Sequence, residues 1–126
     1  MPPSIVHLAL SLVAFSTAGQ ALGQSQMELN QQSYNDYQKA DKQLNATYTA
    51  LMAKISAAGK ARLREAQITW LRFRDQECAF ETMGTEEGSI HPLILNNCLT
   101  GLTLARVKEL ERQLNCQEGD LSCVRQ

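Results

Sequence analysis

Three groups of residues in this chain have the type and spacing to do chemistry. The first is the four cysteines, Cys78, Cys98, Cys116 and Cys123. An even count in a small chain implies a disulfide framework, and four cysteines allow three pairings. Spacing favours Cys78 with Cys98 and Cys116 with Cys123. The first bond would staple two helices across their connection, and the second would close the short turn Cys116-Gln-Glu-Gly-Asp-Leu-Ser-Cys123. A zinc site fits poorly, because there is no CxxC pair and only His91 lies beyond the N-terminal segment, so neither metal nor cofactor is expected.

The second group is polar and aromatic: Asp41, Asn45, Tyr48, Gln67, Trp70, Arg74, Asp75 and Arg106. Asp41 and Arg74 fall on stripes that turn toward neighbouring helices, where a lone charge is costly and a paired one is tolerated. These residues are read as a structural network: Asp41, Arg74, Asp75 and Arg106 as its charges, Asn45 and Gln67 as amide links, Trp70 and Tyr48 as core aromatics with polar tips. Loss of either Arg74 or Asp41 should then act on stability.

The third group, Thr85, Glu86, Glu87, Ser89 and His91, sits in and just after a Gly-rich stretch. Glu86 and Glu87 could in principle be an acid–base pair, but adjacent carboxylates on a loop more simply keep it soluble. With no nucleophile motif and no partner for His91, the chain is not expected to be an enzyme. As a binding element the loop has a physical route. Glu86 and Glu87 would attract a basic partner, and a loop anchored at both ends would bind at low ordering cost. The plain alternative is a connector.

These groups need elements to position them. Ile5 to Phe15 is an apolar run of signal-peptide length and Ala21-Leu22-Gly23 offers small residues for cleavage before Gln24, so residues 1–23 are read as a leader. The run is too short to span a bilayer, which takes about 20 apolar residues, and no membrane insertion is expected after cleavage. The remainder, residues 24–126, is one small domain with a core over about 27–114 and a disulfide-closed tail over 115–126. With 12 basic and 13 acidic residues and no clustered basic block, nucleic-acid binding is excluded.

The pattern is helical throughout. Ser25-Gln-Met-Glu28 has the form of a capping box. From there to Ala58 no Gly or Pro intervenes, and Tyr34, Tyr37, Asp41, Leu44, Tyr48, Leu51 and Ile55 fall three or four apart, predicting one long helix about 50 Å in length that Gly59 closes. Such a helix would overhang its neighbours, its N-terminal turns either frayed or used for contact. A second helix is predicted from Lys60 to about Glu81, with Leu63, Ala66, Gln67, Trp70, Phe73, Arg74 and Cys78 inward, then a loop over residues 82–89. A third begins at Ser89 or His91, because Pro92 belongs in a first turn. It carries Ile94, Cys98, Leu102, Ala105, Leu110 and Leu114, with Gly101 marking close approach of a neighbour. The expectation is an all-α fold: a small antiparallel three-helix bundle with a long first helix, stapled by disulfides.

Read in order, Ala40-Asp41-Lys-Gln-Leu44-Asn45-Ala-Thr-Tyr48, Ala66-Gln67-Ile-Thr-Trp70-Leu-Arg-Phe-Arg74-Asp75-Gln-Glu-Cys78, Cys98 and Thr103-Leu-Ala-Arg106-Val-Lys-Glu109-Leu110 resemble the LprI-type lysozyme-inhibitor N-terminal domain family. The resemblance spans about Met27 to Leu114. It implies a small exported helical domain, periplasmic or secreted, that binds and blocks a muramidase without being an enzyme. This chain departs from the name-giving lipoprotein by lacking the lipid-acceptor cysteine and by adding the Cys116–Cys123 hairpin. The alternative function is a periplasmic interaction or structural module with no enzyme target. It would dock through the first helix, where Gln31, Asn35, Gln38 and Lys42 lie on or near the outer face. Oligomeric state is not legible in the sequence.

Overall fold

The computed structural model describes residues 24–124, so the leader expected over residues 1–23 lies outside the described residues. Three helices account for most of the rest: α1 (Gln26–Met52), α2 (Ala57–Glu81) and α3 (His91–Leu114), with a single 3-10 turn, Met83–Thr85, after α2. The fold is the expected all-α, up-down-up bundle, with α1 and α3 parallel and α2 antiparallel to both.

Capping chemistry sets the helix boundaries. The Ser25 hydroxyl accepts the Glu28 amide at 3.2 Å and opens α1 as predicted. The end of α1 differs from expectation. The helix stops at Met52, a turn follows, and Ser56 caps α2 by accepting the Gly59 amide at 3.1 Å. Gly59 is therefore inside the first turn of α2, not the residue that closes α1, and α1 is about 40 Å long. The reason is local: a serine cap breaks a helical run without Gly or Pro, and the turn swings Ile55 into the core beside Leu51 and Leu110. At α3 the Pro92 reading holds, with helix from His91.

Packing keeps Tyr37, Leu44 and Leu51 of the predicted stripe but shifts the alternate positions by one residue. On α1 the inward positions are Ser33, Tyr37, Ala40, Leu44, Thr47 and Leu51, spaced alternately four and three, with Ser33, Ala40 and Thr47 buried. Tyr34 is exposed, and Asp41 and Tyr48 flank the seam half-buried. Small residues at heptad spacing let α1 approach α3 closely; the facing positions are Asn96, Thr103, Val107 and Leu110, and Asn96 Nδ2 donates to Ser33 Oγ at 3.1 Å. On α3, Ala105 and Gly101 are exposed and no neighbour approaches the Gly101 Cα, so the close contact expected there is made by α1 at Thr103 instead. On α2, Gln67, Arg74 and Cys78 are buried, whereas Ala66 and Phe73, expected inward, face solvent.

Both disulfides form as spacing predicts. Cys78–Cys98 and Cys116–Cys123 each have a Cα separation of 5.7 Å. Of the two expectations for the start of α1, contact is what is seen: from its second turn Asn30 Nδ2 donates to the Ser89 carbonyl at 3.0 Å, tying it to the α2–α3 connection. Among the described residues no helix is long and apolar enough to cross a membrane.

Candidate functional site

α2 is joined to α1 and α3 largely through long polar side chains, and Arg74 is their centre. It is 5% exposed. Its Nε and Nη2 both donate to Asp75 Oδ1 at 2.9 Å, and its Nη1 donates to Thr103 Oγ1 at 3.3 Å and lies 3.8 Å from Asp41 Oδ1. The guanidinium carbon sits 5.4 Å from the Tyr37 ring centre and 5.5 Å from that of Trp70. Arg106, 5.8 Å from the same Trp70 ring centre, donates from Nε to Gln67 Oε1 at 3.0 Å and from Nη1 to Glu109 Oε2 at 2.8 Å. Trp70 thus links two arginine clusters, one reaching α1 and the other staying between α2 and α3.

Asp41, Gln67, Trp70, Arg74, Asp75 and Arg106 therefore come together, and Tyr48 packs against the apolar core. Asn45 does not join them, since it lies on the exposed side of α1. Tyr37, read only as a stripe residue, and Thr103, read only within the resemblance motif, are members of the network that the sequence reading did not assign to it. A tyrosine four residues before Asp41 was the available signal for the first, and a threonine three residues before Arg106 at the head of the third motif was that for the second.

The charges are not equally committed. Asp41 and Asp75 keep 41% and 63% of their side-chain surface in water, so Arg74 is the only buried charge of the first cluster. Burial pushes the Tyr37 phenol above its ordinary value, a shift that Arg74 opposes and that Asp41 and Asp75 reinforce. A phenol with a raised native value contributes stability that is fully present below about pH 10 and is lost as pH rises through the native value. One of the three tyrosines should accordingly titrate late in an ultraviolet alkaline titration, and Tyr37→Phe should remove that late component.

At the other end of α2 the chain builds a rigid corner. Thr82 Oγ1 donates to the Cys78 carbonyl at 2.7 Å and Thr85 Oγ1 to the Thr82 carbonyl at 2.9 Å. With its single proton used there, Thr85 Oγ1 accepts from His91 Nδ1, 2.9 Å away. The Gly88 amide bonds to the Thr85 carbonyl at 2.9 Å and the His91 amide to the Gly88 carbonyl at 3.1 Å. Thr85 and His91 are therefore partly buried struts, while Glu86, Glu87 and Ser89 are presented to solvent.

Beside this corner runs a feature that the sequence reading missed. Phe73, Glu77, Phe80 and Glu81 share one face of α2, and Met83 continues it into the 3-10 turn. Phe73 is 52% exposed, Phe80 69% and Met83 62%. Their seven-residue spacing was visible, but it reads equally well as a buried stripe. Glu77, Glu81, Glu86 and Glu87 have no ion-pair partner among the described residues, so the surface is aromatic, acidic and unneutralised. Among the described residues no His, Cys, Asp and Glu side chains gather as a metal site would require.

Fold and surface together define a small helical domain, stapled by two disulfides that suit an oxidising compartment, with Phe73, Phe80 and Met83 exposed along one side. The chain belongs to the lysozyme inhibitor LprI family, whose model matches residues 17–110. It is similar to an uncharacterized protein of Rhizobium meliloti (strain 1021), 32% identical over 108 residues that cover 75% of this chain and 78% of the relative. No solved structure matches it.

Proposed function

We propose that this protein is an exported, non-enzymatic inhibitor that binds a lysozyme through the corner between α2 and α3. The observation that carries this reading is the solvent-facing stripe Phe73, Phe80 and Met83 set among unpaired Glu77, Glu81, Glu86 and Glu87. Large exposed aromatics at the centre of a patch are the usual anchors of an interface, and a surplus of carboxylates around them complements the basic surface common among animal lysozymes. The hydrogen-bonded corner supports the same reading, because a loop already held by Thr82, Thr85 and His91 loses little freedom on binding. Family membership supplies the class of target. With the enzyme held by its basic surface, the bundle would stand across the approach to the two-carboxylate cleft and block access of the cell-wall polymer.

The roles within the patch differ. Glu86 and Glu87 steer, so Glu86→Lys/Glu87→Lys should slow association with a basic lysozyme by about tenfold at low salt and flatten its salt dependence, with dissociation little changed. Phe80→Ala should instead speed dissociation, raising Kd by one to two orders of magnitude, on the order of 2 kcal/mol. Surface plasmon resonance at two ionic strengths separates the two effects. Unchanged kinetics for both variants would move the interface elsewhere, the outer face of α1 being the next candidate.

A further inference from the structure

The opposite end of the bundle carries a groove that the inhibitor reading does not use. It has a volume of about 430 Å³ and opens between the C-terminal turns of α1 and α3 and the first turns of α2. Leu51, Ile55 and Leu110, all buried core residues, form its floor, with Leu63 alongside. The rim carries Arg62, Arg106 and Arg112 against Glu109 alone. Arg106 is already engaged with Glu109 at 2.8 Å, whereas neither Arg62 nor Arg112 is paired with a carboxylate among the described residues.

One wall is supplied by the tail beyond α3. The Gln113 side chain clamps the tail at both ends of its amide, donating from Nε2 to the Ser122 carbonyl at 2.9 Å and accepting the Val124 amide on Oε1 at 2.9 Å. The Cys116–Cys123 bond holds that turn closed, and Val124 reaches over Gly59, where a Cβ would stand 3.4 Å from its Cγ1. An apolar trough is thus closed on one side by a disulfide-held strap and topped by two uncommitted guanidiniums.

We infer that this groove binds a medium-chain fatty acid, its alkyl chain against Leu63 and Val124 above the buried Leu51, Ile55 and Leu110, and its carboxylate between Arg62 and Arg112. The volume sits at the low end of small-molecule sites, which run from about 300 to 1,000 Å³, and so suits one short chain, not a folded partner or a bilayer. Two free guanidiniums select an anion, and their planar forks match a carboxylate through paired N–H donors.

The test is calorimetric titration of the purified, disulfide-intact protein with decanoate, octanoate, decanol, decyltrimethylammonium and decyl phosphate, each below its critical micelle concentration. Decanoate should bind at one saturable site, about tenfold more tightly than octanoate because two more methylenes are buried. Decanol and the ammonium should bind at least tenfold more weakly. Arg62→Glu/Arg112→Glu should remove the preference for decanoate over decanol without changing the helical circular dichroism. Ala66→Trp, which fills the groove from an exposed lining position, should abolish binding of both, and Cys116→Ser/Cys123→Ser should weaken decanoate by loosening the wall. Absence of saturable binding, equal affinity for decanoate and decanol, tighter binding of decyl phosphate, or full affinity in the folded Ala66→Trp variant would overturn the assignment.

Discussion

Arg74→Ala should lower the melting temperature by roughly 10 to 25 °C, the equivalent of about 2 to 4 kcal/mol in a domain of this size. Several losses coincide at this residue. Two ring contacts with Tyr37 and Trp70, each worth about 0.5 to 2 kcal/mol, disappear together. The buried Thr103 hydroxyl loses its donor, and a void opens between α2 and the α1–α3 seam. Asp41→Ala should cost far less, about 1 kcal/mol or under, because that carboxylate is 41% exposed and stands 3.8 Å from the cation, while Asp75 still holds it at 2.9 Å. From sequence the loss of either residue was expected to act on stability, and the geometry separates the sizes of the two effects. Arg74→Lys should fall between, since an ammonium keeps the charge and loses the fork and the planar stacking. Thermal unfolding by circular dichroism would check the order, and an Arg74→Ala variant melting within a few degrees of the parent would show that the network carries little of the fold.

Removing the Cys78–Cys98 staple should cost about 3 kcal/mol, the loop-closure entropy for a separation of 20 residues. This bond joins α2 to α3 beside the corner that presents Glu86 and Glu87, and Cys78 is fully buried. Cys78→Ser/Cys98→Ser should therefore show both a lower midpoint in urea and faster amide exchange through residues 82–90. Cys116→Ser/Cys123→Ser should lower the midpoint less, by at most about 2 kcal/mol, because a sequence separation of 7 closes a shorter loop in a tail that can open locally. Similar midpoints for the two double variants would contradict this division of labour.

The contrast between these bonds shows what the sequence made legible. Cysteine spacing sufficed for both pairings, since each bond closes a local segment. Pro92 fixed the start of α3, because its missing amide leaves few places for it. The α1–α2 boundary was hidden, since Ser56 ends one helix and begins another by capping, a signal weaker than Gly or Pro. On α1 Tyr37, Leu44 and Leu51 were read on the seam, but Ser33, Ala40 and Thr47 were passed over for their larger neighbours Tyr34, Asp41 and Tyr48, because they are small, yet their smallness is what brings α3 close. Phe73 was read inward for the opposite reason: a large aromatic on a helix defaults to core, and only the burial of Arg74 next to it shows which face α2 turns to its neighbours. The groove at the far end depends on the tail folding back onto Gln113, a contact no local pattern announces.

The central claim is that the corner of α2 and the connection after it bind a muramidase and block it. Its most direct test is the rate of cell-wall lysis by a basic chicken-type lysozyme in the presence of increasing purified, disulfide-intact protein, run beside a Phe80→Ala/Glu86→Lys/Glu87→Lys variant whose melting temperature matches the parent. Stoichiometric inhibition by the parent, weakened at least a hundredfold in the variant, is the expected result. Undiminished lysis at protein concentrations far above the enzyme, repeated with goose-type and invertebrate-type lysozymes, would contradict it.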